Sequence, residues 1–103
     1  MLSYQITKAA EKDLEAILDF GIEHFGIDAA IQYYEQLVLK FDEISSSPKR
    51  FPSRGKIGEG YRICSHRSHD IYFSDSTEFV LIIRILNRRN IEVAIHSAIN
   101  NIW

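Results

Sequence analysis

Cysteine is almost missing from this chain. Cys64 stands alone, so no internal disulfide is possible and no framework for a structural zinc site exists. That usage agrees with a reducing compartment. Proline and glycine are sparse as well, at two and five residues, which excludes collagen-like and low-complexity classes. No long hydrophobic run occurs. The longest nearly uncharged apolar stretch, Phe79 to Ile83, is far short of the roughly 20 residues needed to cross a bilayer. The opening Met1-Leu2-Ser3-Tyr4-Gln5 lacks a basic start followed by an apolar segment, so a cytoplasmic protein without membrane association is expected. Phosphate-cradling loops are lacking too: Gly55-Lys56-Ile57-Gly58-Glu59-Gly60 is rich in glycine but does not join a strand to a helix in the required order.

What is present is the composition of an ordinary globular domain: 103 residues, 46% hydrophobic and 25% charged. One domain spanning 1–103 is expected. The net charge of −2 hides a division at Pro48. Acidic residues dominate before it and basic residues after it, a separation able to steer an acidic partner toward the second half.

Residues 2 to 7 alternate apolar and polar as a half-buried strand does, with Leu2, Tyr4 and Ile6 on one face. Thr7 can cap a helix whose stripe is Ala10, Leu14, Ile17, Leu18, Gly21 and Phe25. Gly26 offers a stop, and Asp28 begins a second helix with the stripe Ala30, Tyr33, Tyr34, Leu37, Phe41 and Ile44, which Ser45-Ser46-Ser47-Pro48 ends. Residues 48 to 60 read as a loop. Three antiparallel strands follow at 61–65, 68–74 and 78–86, joined by short polar turns. In the last of them, Phe79, Leu81, Ile83 and Ile85 are expected to pack on the helical hairpin and Val80, Ile82, Arg84 and Leu86 to face away. Ile91, Ile95, Ala98, Ile99 and Ile102 have helical spacing, so a short helix after Asn90 is expected to cover the second sheet face. The fold class is therefore α+β: a strand, an α-helical hairpin, and a three-stranded meander forming one sheet on the hairpin.

Chemistry-bearing clusters are few. His66 and His69 are split by a turn, and neither a Cys pair nor a HExxH spacing accompanies them, so no metal site and no cofactor is expected. His24 suits a helix C-terminus. Cys64 in a strand reads as a small hydrophobe. Arginine is more informative. Arg62 and Arg84 lie in strands and are expected to point away from the hairpin, with Arg88 and Arg89 directly after the last strand and Lys49, Arg50, Arg54 and Lys56 in the loop. Such a cluster suits phosphates or carboxylates.

These pieces, in order, resemble the RelE/ParE superfamily of bacterial toxin-antitoxin toxins, and the ParE branch in particular. The matching stretches are Ala9-Ala10-Glu11-Lys12-Asp13-Leu14-Glu15-Ala16-Ile17, Phe25-Gly26, Tyr34 and Leu37, Pro48, Gly60-Tyr61-Arg62, Ser68-His69-Asp70-Ile71-Tyr72-Phe73, and Ile83-Arg84-Ile85-Leu86. The resemblance implies a growth-arresting toxin that inhibits DNA gyrase without a catalytic site of its own. It also implies a ParD-like antitoxin partner, whose DNA-binding element would provide the only contact with an operator. By this resemblance the target-binding candidates are Arg84, Asn87, Arg88 and Arg89, and the antitoxin-binding candidates are Arg62, Val80, Ile82, Arg84 and Leu86. RelE-like members are instead ribosome-dependent mRNA endonucleases; on that alternative Arg62 and Arg84 hold phosphate and His69 or His96 moves a proton. No tyrosine follows Tyr72, so the C-terminal tyrosine acid of that branch is lacking. The chain also departs from many ParE-like sequences, with Asn87 where they have His and a changed pair around Asn90 and Ile91. A third reading is a non-toxic remnant that only binds an antitoxin.

Overall fold

The computed structural model describes residues 3–53, 60–75 and 78–88. Strand β1 (Tyr4–Ile6) leads into helices α1 (Lys8–Phe25) and α2 (Ile27–Ser46), and a 3-10 turn at Pro48–Arg50 follows. Strands β2 (Tyr61–His66), β3 (His69–Ser74) and β4 (Val80–Asn87) come next. They form one four-stranded sheet in the order β1-β4-β3-β2. The meander β2-β3-β4 is antiparallel, whereas β1 pairs with β4 in parallel. The α+β architecture read from the sequence is thus the one observed, with the N-terminal strand placed beside the last one.

Local chemistry explains the helical hairpin. The Thr7 hydroxyl accepts from the Ala10 N–H at 3.0 Å, satisfying one of the donors a helix start leaves open. It also donates to the Ile83 carbonyl at 2.7 Å, so the cap of α1 is tied to β4. Gly26, at φ 91° and ψ 160°, occupies backbone space open essentially to glycine alone. Its N–H closes α1 on the Ile22 carbonyl, and its carbonyl receives the Ala30 N–H of α2. One residue ends one helix and starts the next. The core lies between hairpin and sheet: Ala10 and Leu14 of α1 and Leu37, Phe41 and Ile44 of α2 meet Cys64, Ile71, Phe73, Val80, Ile82 and Ile85.

Two sequence expectations need correction. Val80 and Ile82, expected on the face away from the hairpin, are 2% and 0% exposed and belong to its core. The cause is a bulge: Phe73 pairs with Ile82 but Tyr72 with Arg84, which leaves Ile83 as an extra residue. Inward positions therefore pass from Val80 and Ile82 to Ile85, and an uninterrupted alternation cannot describe the strand. Phe25, assigned to the buried stripe of α1, is 70% exposed. The other sheet face is buried as well, since Ile63 and Tyr72, paired across β2 and β3, are each 5% exposed. The helix expected after Asn90 lies outside the described residues, as does Arg89.

Candidate functional site

A cleft of about 790 Å³ opens where the far end of the hairpin meets the β2–β3 turn and the end of β4. Small residues of the two helices, Ala16, Gly21, Ala29 and Ala30, leave the space, and Phe20, Phe25 and Tyr33 wall it. Ile85, Leu86 and Asn87 close it on the sheet side, and Arg67, Ser68 and His69 at the turn. Its volume falls in the range of binding pockets, and its lining combines apolar walls with a few polar groups. Phe20 and Phe25 remain 56% and 70% exposed at its rim, with their ring centroids 6.3 Å apart. Large exposed aromatic side chains grouped in this way mark a contact surface.

The polar end of the cleft is built around Tyr33. Its hydroxyl lies 2.7 Å from His69 Nδ1 and 3.3 Å from the His66 carbonyl. Both contacts are satisfied when His69 Nδ1–H donates to the phenol oxygen and the phenol O–H donates to the carbonyl. His66 Nε2 meets Gln36 Oε1 at 3.1 Å. Burial lowers the pKa of both His66 and His69, so neutral imidazoles are favoured here. Burial also raises the Tyr33 pKa.

The sequence-predicted arginines are engaged inside the molecule. Arg84 donates from Nε and Nη2 to the Asp13 carboxylate at 2.7 and 2.9 Å, and Asp13 also accepts the Ile85 N–H at 2.9 Å. Beyond the end of β1, a helix carboxylate thus occupies the place of a neighbouring strand's carbonyl on the edge of β4. Arg62 was expected to point away from the hairpin, yet it pairs with the core residue Phe73 and donates to Asp75 Oδ2 and the Phe51 carbonyl, each at 2.7 Å. Arg88 reaches Asp70 Oδ1 at 3.1 Å while half exposed, and Asp70 also receives the Ser65 hydroxyl at 2.7 Å.

Of the predicted site residues, Leu86 and Asn87 line the cleft, whereas Val80 and Ile82 are removed from any external surface by the core. Sequence reasoning missed Phe20, Arg67 and Asp13. An aromatic at Phe20, outside the apolar stripe of α1, was the available signal for the rim; nothing local pointed from Arg84 to a carboxylate 71 positions earlier. Among the described residues no group of three or more His, Cys, Asp or Glu side chains could hold a metal ion. Cys64 is buried and its thiol pKa is raised by that burial, the opposite of an activated nucleophile.

Residues 4–92 match the family described as the ParE toxin of the type II toxin-antitoxin system parDE. Toxin ParE1 of Mycobacterium tuberculosis (strain CDC 1551 / Oshkosh) is 30% identical over 87 residues, covering 84% of this chain and 89% of that protein. Toxin ParE1 of Caulobacter vibrioides is 26% identical over 88 residues, covering 85% and 91%. Among solved structures, a chain from the chromosomal ParDE TA system of P. aeruginosa superposes with a TM-score of 0.74 at 21% identity, over 84% of this chain and 96% of that one. That likeness concerns the fold.

Proposed function

The chain belongs to the ParE family of toxins of type II toxin-antitoxin systems, and on that premise we propose that it acts in the cytoplasm by binding and inhibiting DNA gyrase, and is neutralised by a ParD-like antitoxin. One observation carries the reading: the arginines that a nuclease would need for phosphate, Arg62 and Arg84, are each bound to an internal carboxylate, Asp75 and Asp13. A guanidinium engaged at 2.7 Å is poorly placed to stabilise charge developing on a scissile phosphate. The molecule offers a binding surface instead. The exposed aromatic rim and the cleft beneath it suit the apolar face of an antitoxin segment, with Leu86 contributing at the sheet side. Asn87 and Arg88 at the end of β4, together with Arg89, are the proposed target contacts; Arg84 acts by holding that end of the strand against α1. DNA is reached only through the antitoxin.

The test is expression from a tightly repressed promoter, followed by assays of gyrase supercoiling and mRNA integrity in the same extract. Growth arrest with lost supercoiling and intact mRNA is expected. Cleaved mRNA with normal supercoiling would overturn the gyrase assignment in favour of the nuclease, and unimpaired growth with soluble protein would leave an antitoxin-binding remnant.

A further inference from the structure

The β2–β3 turn holds a residue that its backbone does not favour. Arg67 has φ 54°, the only positive φ among the described non-glycine residues. The turn has two central residues, between the paired His66 and His69, and only the first has positive φ. Positive φ crowds a Cβ, so such positions in two-residue hairpin turns are normally taken by glycine, asparagine or aspartate.

The side chain placed there at a conformational cost is held by no carboxylate among the described residues. Arg67 is exposed and lines the cleft. The other fully charged side chain lining the cleft, Asp13, is occupied by Arg84, and nearby Asp70 is occupied by Arg88. Among the described residues Arg67 makes no hydrogen bond or ion pair. The cleft therefore combines apolar walls, an aromatic rim at Phe20 and Phe25, and one uncommitted positive charge at its turn end. Strained residues of this sort persist where the contact they serve is functional.

We propose that Arg67 is a specificity-determining anchor that binds a carboxylate on the antitoxin helix filling the cleft. The occupant is thus a helix with an apolar face laid on Phe20, Phe25 and Leu86 and an Asp or Glu at the end nearest the β2–β3 turn. Charge decides this choice: with Asp13 neutralised, a partner acid meets attraction and a partner Lys or Arg meets repulsion. The guanidinium can receive the carboxylate through two parallel N–H donors, which lysine cannot reproduce. The proposal rests on the toxin-antitoxin reading above.

The experiment titrates the purified toxin with a purified ParD-like antitoxin, comparing wild type with Arg67→Gly, Arg67→Lys and Arg67→Glu. Arg67→Gly relieves the turn, so its unfolding midpoint should equal or exceed that of the wild type while its antitoxin affinity falls about tenfold or more. Arg67→Glu should fall further and Arg67→Lys should lie between. The salt dependence of binding, which a purely structural role would not move, should be weaker for Arg67→Gly than for wild type. Glycine and glutamate variants that bind within twofold of a tightly binding wild type would overturn the anchor and leave the toxin-antitoxin reading intact. A wild-type chain that neither binds the antitoxin nor arrests growth would overturn that reading and the anchor with it.

Discussion

At Asp13 two demands meet. The edge of β4 needs an acceptor for the Ile85 N–H once β1 has ended, and the Arg84 guanidinium needs a counter-charge; one carboxylate serves both. With side chains 19% and 14% exposed, the pair is largely withdrawn from water, and removal of one member leaves the other uncompensated. Asp13→Ala should therefore cost about 3 kcal/mol, the low end for breaking a buried pair. Urea denaturation would show it as a lower midpoint at unchanged slope, and a cost below about 1 kcal/mol would place the pair among weak surface contacts. The double variant Asp13→Leu/Arg84→Met should recover much of the loss, because no buried charge then remains. His69 acts through protonation. Burial, followed by the neighbouring His66, lowers its pKa from 6.5, so the unfolded chain binds a proton more readily than the folded one. The stability associated with neutral His69 is complete above about pH 6.5 and is lost as pH falls below that value. The wild-type unfolding temperature should drop between pH 7 and 5.5 more steeply than that of His69→Gln; parallel curves would remove His69 from the account.

The elements depend on a few close approaches. Gly21 lets α1 and α2 come together: a Cβ built there would stand 3.0 Å from Ala30 Cβ and 3.4 Å from Ala30 Cα. A larger side chain must push the helices apart and widen the cleft they share with the sheet. Gly21→Leu should destabilise by about 2 kcal/mol, in the range for forcing bulk into packed interiors, despite leucine's better helix propensity. Stability at or above wild type by urea denaturation would mean that α2 yields freely. Thr7→Val removes both the cap on Ala10 and the bond to Ile83, and should cost about 1 to 2 kcal/mol by the same measurement. A change within 0.5 kcal/mol would show that the cap contributes little. Local devices and the bulge in β4 differ in how readable they were. Thr7 and Gly26 announce themselves because capping and hairpin closure are governed by residues a few positions apart. The Ile83 bulge does not, since it exists only relative to β3, and the alternation in Val80 to Leu86 reads equally well in either phase when nearly every residue is apolar. The cleft was half legible: Leu86 and Asn87 were named through the family resemblance, but Arg67 reveals its role only through its φ and the commitment of neighbouring acids elsewhere.

Across the whole molecule, the first strand and the last are neighbours. Tyr4, Gln5 and Ile6 pair with Val80, Leu81 and Ile82, and the Thr7 N–H continues the ladder to the Ile82 carbonyl. The helical hairpin carries the chain from β1 at one edge of the sheet to β2 at the other, and the β2-β3-β4 meander returns it to pair beside β1. Phe41 stands where the layers join. It is fully buried, packs in the core with Leu37, Phe73 and Ile82, and its ring meets that of Tyr4 edge-on at 5.5 Å between centroids. With helices and sheet sharing a single core, neither layer retains an apolar interior without the other, and unfolding should be a single cooperative transition. Phe41→Ala should consequently lower stability by about 3 to 5 kcal/mol, and far-UV circular dichroism, which follows α1 and α2, should report the same midpoint as tyrosine fluorescence, which follows Tyr4 and the tyrosines of α2 and the sheet. If the fluorescence transition came first while helical signal persisted, the hairpin would be stable by itself and the sheet, with the end of β4 that closes the cleft, would be the part that opens.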